Sequence, residues 1–271
     1  MIVEYKNNTN KNILHFLHGN SITPNSYNSI LENLNTNYKV NNYLLRPLWD
    51  KRVMPSFKNW DIFLNDYLKD LENYNEISAI GHSIGGNILL RAAIEQPNKF
   101  NKIILLDPTL LSPYKVLIWK LICTFNLQSK FLPLINNARN KRMNYESYKE
   151  IFISYRSKKI FSNFSDQQLS DFIKSITKYE DNKIKLIFPS NWDERIYSQG
   201  MKDDYKIWNK IRSLNVETVI VRASKSNIFF KETEIALKRR SKKIKFEIID
   251  GDHFFPINNS FETINLISKY L

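Results

Sequence analysis

The 271-residue chain has a single cysteine, Cys123, so no disulfide framework holds it together. No run reaches the ~18 apolar residues that a membrane helix needs. The nearest, Val116 to Phe125, is short and broken by Lys120. Internal repeats and Gly/Ser-rich linkers are also missing, so nothing marks a seam between separate domains. The opening Met1-Ile2-Val3-Glu4-Tyr5-Lys6 lacks the charged-then-apolar layout of a secretory leader. A cytoplasmic protein with no integral membrane association is therefore expected. Low hydrophobicity is absent too. With 42% hydrophobic and 13% aromatic residues, the chain can bury a large core, which excludes global disorder.

What is present in excess is positive charge, +13 at neutral pH. Such a balance can draw a protein to nucleic acid or to an anionic membrane. Here the cations are dispersed among many Asn and Ile residues. The densest group, Lys238-Arg239-Arg240-Ser241-Lys242-Lys243, closes a predicted helix, where cations complement the helix dipole. No nucleic-acid partner is expected. No metal-ligand spacing, phosphate loop or dinucleotide fingerprint occurs, so neither metal nor cofactor is expected.

Hydrophobic patterning alternates strand and helix at both ends of the chain. Ile13–Leu17, Tyr38–Leu45, Ile77–Ile80 and Lys102–Leu106 read as buried strands, separated by helical stretches at 24–34, 59–71 and 84–96. The alternation returns at 216–221, 232–240 and 244–249, with a last helix from Phe261. Between them lies a block of mainly helical pattern. Tyr114–Phe125 is very apolar, Tyr145–Tyr155 and Ser165–Tyr179 are amphipathic, and Ile184–Phe188 is the one strand-like piece. The pattern predicts an α/β core from residues 1–108 and 212–271, with a parallel sheet covered on both faces. Residues 109–211 are predicted to form an inserted helical cap.

Chemistry concentrates at three points. Gly81-His82-Ser83-Ile84-Gly85 matches G-x-S-x-G, directly after a predicted strand and before a predicted helix. In that context Ser83 sits on a strained turn. The positive end of the helix beginning at Ile84 points at it, and the Ile84 amide becomes an oxyanion donor. A serine nucleophile needs a base within hydrogen-bond reach. Of the four histidines, His15 lies within a strand, His18 precedes a turn, and His82 adjoins the serine and points away from it. His253, in Gly251-Asp252-His253 after the last predicted strand, remains as the base. His18-Gly19-Asn20, ending the early strand, is the third point.

In this order and spacing the three segments resemble the α/β-hydrolase superfamily over nearly the whole chain, from Asn12 to Leu271. Arg46-Pro47-Leu48-Trp49, Leu106-Asp107-Pro108 and Asp252-His253-Phe254-Phe255-Pro256 look like bacterial α/β hydrolases of unassigned substrate. The resemblance implies that the His18-Gly19-Asn20 loop supplies the second oxyanion donor, through Asn20. It also implies a triad acid after the penultimate strand. Here that segment reads Val221-Arg222-Ala223-Ser224-Lys225-Ser226-Asn227-Ile228, without a carboxylate. Asn227 occupies the usual place of the acid. An Asn orients an imidazole but does not offset its charge. Haloalkane dehalogenases and some lipases take the acid from the end of the strand after the elbow helix, which is Asp107 here. A cap or turn role at the start of the lid is the alternative for Asp107, and Asp250 and Asp252 are too close to His253 in sequence to reach its ring easily. Haloalkane dehalogenases and epoxide hydrolases use an Asp nucleophile, and Ser83 stands at that position.

The resulting expectation is a serine hydrolase with Ser83, His253 and Asp107 as catalytic residues. Asn20 and Ile84 would form the oxyanion hole, and Trp49 and Trp192 are candidates for the substrate pocket. The substrate class is a small or medium hydrophobic carboxylic ester. Carbon–carbon bond hydrolysis, acyl transfer and ligand binding with little turnover are the alternatives. A monomer or homodimer is expected.

Overall fold

A computed structural model describes residues 1–271. In chain order the first elements are β1 (Ile2–Glu4), β2 (Ile13–Leu17), α1 (Asn28–Leu34), β3 (Lys39–Tyr43), α2 (Asp61–Leu71), β4 (Ile77–His82), α3 (Ile84–Glu95) and β5 (Phe100–Leu106). A long excursion follows: α4 (Pro113–Thr124), α5 (Gln128–Phe131), α6 (Pro133–Arg139), β6 (Asn144–Tyr145), α7 (Tyr148–Arg156), α8 (Asp166–Ser175), β7 (Thr177–Glu180), β8 (Lys183–Leu186), α9 (Ser190–Gln199) and α10 (Tyr205–Lys210). The chain then returns through β9 (Glu217–Ala223), α11 (Lys231–Lys238), β10 (Ile244–Ile249), α12 (Phe255–Asn258) and α13 (Ser260–Ile267).

Seven strands form one sheet in the order β1-β3-β2-β4-β5-β9-β10. Every pairing is parallel except that of β1 with β3. Near-continuous apolar strands are what such a sheet needs, because helices cover both faces. Along β5, Ile103 and Leu105 join one buried cluster, with Phe63 of α2 and Ile88 of α3. Ile104 and Leu106 join the other, with Leu31 of α1 and Ile267 of α13. After β2 the chain crosses to β3 on one side, and later strands add on the other side of β4. The carboxyl ends of β2 and β4 therefore flank the switch in strand order, where doubly wound sheets open a crevice.

The excursion has no core of its own. Trp192, Ile196 and Ile207 join the first cluster, and Ile151, Phe172 and Ile184 join the second. It is mainly helical, and the strand-like piece at 184–188 begins within β8. The amphipathic pattern of 165–179 is split: α8 ends at Ser175, and β7 pairs antiparallel with β8 in a three-stranded sheet β6-β8-β7. Asp181 and Asn182, at φ 51° and 57°, make the tight turn that joins them. Positive φ at both central residues matches the twist of a hairpin. The apolar helix α4 differs as well. It buries Val116 and Trp119 but leaves Tyr114, Leu117, Ile118, Leu121 and Phe125 exposed.

Candidate active site

Ser83 lies between β4 and α3 at φ 57° and ψ −122°, a region a non-glycine residue enters only when its surroundings impose it. Its N–H donates to the Leu106 carbonyl at 3.1 Å, and its carbonyl accepts from Thr109 N–H at 3.0 Å. The flanking glycines make the turn sterically feasible. A Cβ on Gly81 would stand 2.6 Å from the Gly85 carbonyl oxygen, and one on Gly85 would fall on the Leu17 carbonyl. The Ile84 amide is the first of α3. It belongs to the turn whose N–H groups lack intrahelical acceptors and carry the positive end of the dipole.

His253 follows β10, after Gly251 at φ 133°. Its Nε2 is 3.0 Å from Ser83 Oγ and its Nδ1 is 2.6 Å from Asp107 Oδ2. The consistent assignment has the Ser83 hydroxyl donating to Nε2 and Nδ1–H donating to the carboxylate. Asp107 is fully buried at the end of β5, with φ 41°. Its N–H donates to the Val221 carbonyl at 2.8 Å. Two further donors meet its carboxylate: Ala223 N–H reaches Oδ1 at 3.2 Å and the Ser226 hydroxyl reaches Oδ2 at 2.7 Å. The structure thus brings Ser83, His253 and Asp107 into one chain of hydrogen bonds, from the ends of three different strands.

No family model matches the chain, and no curated protein matches it in sequence. Many solved structures match its shape. E-2-(acetamidomethylene)succinate hydrolase superposes with a TM-score of 0.79 at 14% identity, covering 99% of this chain and 93% of that one. The peroxisomal α/β-hydrolase Lpx1 of Saccharomyces cerevisiae gives 0.76 at 18% identity, covering 99% and 80%. A thermophilic esterase from Thermogutta terrifontis gives 0.67 at 15% identity, covering 99% and 92%. The chain has the α/β-hydrolase fold.

Within this α/β-hydrolase fold the other histidines are buried, and desolvation disfavours their charged forms. His15 is lowered to about 3 and His18 to about 4, while His82 lies well below its ordinary value. His18 braces its own loop: Nδ1–H donates to the Gly19 carbonyl at 2.7 Å, and Nε2 accepts from Leu45 N–H at 3.1 Å. His82 braces the His253 backbone. Gly19 N–H donates to the Tyr27 hydroxyl at 3.1 Å, which donates to His82 Nδ1 at 2.6 Å. His82 Nε2–H donates to the His253 carbonyl at 2.9 Å. The Gly19 loop and His253 are therefore joined through two buried side chains. Nothing in the local pattern around Tyr27 announces this. The two ends of that relay lie far apart in the chain.

Asn20 follows β2 at the rim of the crevice. Both atoms of its side-chain amide are buried without a hydrogen-bond partner. The amide faces Asp193 and Tyr197 of α9 without meeting bonding geometry. Asp193 is itself 1% exposed and pairs with Lys141. Burial pushes its carboxyl up and Lys141 opposes the shift. The hydroxyl of Thr109, 3.2 Å from Ser83 Oγ, is a further neighbour that no sequence motif marks.

Asn227 is exposed and makes no hydrogen bond to His253; its neighbour Ser226 is the residue of that loop that bonds Asp107. One expectation needs correction. Trp192 does not line a pocket. It is 3% exposed and stacks on Phe57 at 5.7 Å in the core, because an indole on the inner face of α9 meets the apolar side of the sheet. Trp49 is half-buried, its indole N–H donating to the Leu44 carbonyl at 3.0 Å. Asp250 accepts from the Ser224 hydroxyl at 2.7 Å and Asp252 from Phe254 N–H at 2.8 Å, so neither carboxylate serves the His253 ring.

Proposed function

We propose that the chain is a serine hydrolase that cleaves a small or medium carboxylic ester through an acyl-enzyme. One observation carries the reading: a single imidazole stands 3.0 Å from the hydroxyl of an elbow serine and 2.6 Å from a buried carboxylate. Solved structures of similar shape include a hydrolase and an esterase, which supports the same class. Asn227 leaves the usual acid position empty of charge. The Asp107 carboxylate, reaching the imidazole from the neighbouring strand, favours turnover over ligand binding alone.

Ser83 Oγ attacks the ester carbonyl carbon as its proton passes to His253 Nε2. The buried Asp107 carboxylate holds Nδ1–H and stabilises the imidazolium. The oxyanion faces the Ile84 amide at the positive end of α3 and a donor from the Asn20 loop. His253 then returns the proton to the departing alkoxide, leaving Ser83 acylated. Water enters, gives a proton to His253 and attacks the acyl carbon. The acid departs and Ser83 regains its hydrogen.

A fluorophosphonate probe tests the reading. The wild type is expected to take up one label, mapped by mass spectrometry to Ser83, and Ser83→Ala none. A folded wild type that stays unlabelled and turns over no simple ester would remove it.

A further inference from the structure

The cap helix α4 carries an apolar face that no part of the chain covers. Tyr114 is 72% exposed, Leu117 63%, Leu121 61% and Phe125 69%, with Ile118 at 39%. At 100° per residue these five positions fall within an arc of about 100°, one continuous stripe along the helix. Val116 and Trp119, on the opposite side, are buried, and the Trp119 indole N–H ties the helix to the Gly200 carbonyl at 2.8 Å. The stripe is thus displayed by a helix that is firmly seated. Leu127 and Phe131, also exposed, extend it past the end of α4.

Charge selects the partner. From residue 108 to residue 145 the chain has six Lys and Arg and no Asp or Glu. Lys115 and Lys120 flank the stripe on its two sides. Lys115 is tied to Glu232 at 2.5 Å, while Lys120 and Lys130 are exposed without a carboxylate partner, the Lys120 ammonium lying 5.4 Å from the Tyr205 ring centre. The whole chain carries +13, so a second copy brought to this face meets like charge. A convex apolar ridge edged by lysines and ending in aromatic rings has the geometry of a helix lying in a bilayer interface. We propose that α4 docks the protein on the surface of an anionic phospholipid bilayer, apolar stripe in the acyl boundary and Lys120 and Lys130 at the headgroups. This goes beyond the hydrolase reading and does not depend on it.

Vesicle sedimentation tests it. With vesicles of phosphatidylcholine and about one third phosphatidylglycerol at low salt, the protein is expected to sediment with lipid, and to do so poorly with phosphatidylcholine alone. Leu117→Ser/Leu121→Ser/Phe125→Ser should lower the bound fraction about tenfold or more. Lys120→Glu/Lys130→Glu, which leaves the apolar stripe intact, should weaken binding and flatten its salt dependence. Circular dichroism and thermal melting identify a variant that fails to fold; the lysine pair then still decides the matter. Three results would overturn the proposal: no sedimentation of the wild type with anionic vesicles, binding unchanged in both folded variants, or a wild-type dimer that the triple serine variant dissociates in the absence of any vesicle binding.

Discussion

Replacing Asp107 with Asn tests the assignment of the acid most sharply, because the surroundings leave the amide no good orientation. Oδ2 accepts from His253 and Ser226, and Oδ1 accepts from the Ala223 backbone amide. An Asn offers one acceptor where the site needs two. If its oxygen faces Ala223, the NH₂ faces His253 Nδ1. The imidazole then takes the other tautomer, with its proton on Nε2, and cannot accept from Ser83. If its oxygen faces His253, two donors meet at Ala223 N–H, in a site without water access, at a cost of about 1–3 kcal/mol. The first orientation leaves the serine without a base. The loss expected in kcat is then about 10⁴-fold, or about 5.5 kcal/mol of barrier, with much less change in KM. The assay is steady-state hydrolysis of a chromogenic ester, with the rate of fluorophosphonate labelling as a second readout and thermal melting as the control for folding. Asn227→Ala, in parallel, should leave kcat unchanged. A folded Asp107→Asn protein within tenfold of wild type would refute the reasoning, and a large loss in Asn227→Ala would move the acid's role elsewhere.

Ser226→Ala removes one donor from the same carboxylate but leaves the imidazole its partner, so kcat/KM should fall about tenfold with KM nearly constant; an unchanged kcat would show that Ser226 is only a loop tie. Gly85→Ala places a methyl on the Leu17 carbonyl. It should destabilise the fold by about 3 kcal/mol or more by urea unfolding, and a loss under 1 kcal/mol would mean the elbow shifts freely. Asp204 gives a pH signature. Burial pushes its carboxyl up from 3.8 to about 7, although Asn87 Nδ2 and Leu111 N–H donate to it. The folded chain keeps a proton that the unfolded chain releases, so this group's contribution to stability falls as pH rises from about 4 to 7, by up to about 1.4 kcal/mol per pH unit. Asp204→Asn, neutral throughout, should gain on wild type across that interval in urea unfolding at pH 5 and pH 8. An equal stability difference at both would exclude titration of Asp204 there.

The sheet was legible because buried parallel strands are apolar throughout and end abruptly. Leu17 meets His18-Gly19, and Leu106 meets Asp107-Pro108. Ser83 was legible because a sharp elbow demands small residues at fixed offsets, and His253 because few histidines compete with it. The rest was hidden for definite reasons. β8 showed through the strand-like piece at 184–188, but its partner β7 is short and charged, with Lys178 and Glu180 exposed, and merged with the amphipathic pattern before it. Its one local sign is the Asp181-Asn182 turn. Ser226 and Tyr27 act through contacts made only after distant segments meet, and a hydroxyl in a loop looks the same whether or not a carboxylate lies beside it. The exposure of one face of α4 was hidden because apolar periodicity reports that a stripe exists, not which way it turns.

The contact between Ser226 and Asp107 has a further consequence, for descent rather than chemistry. Side chains from the ends of two adjacent strands arrive at one point, 2.7 Å apart. A carboxylate can therefore be lost from one strand and gained on its neighbour while the imidazole stays where it is. A lineage that passes through a form bearing both never crosses a stage without an acid. The position of the charge in the chain is free to drift, and its position in space is not.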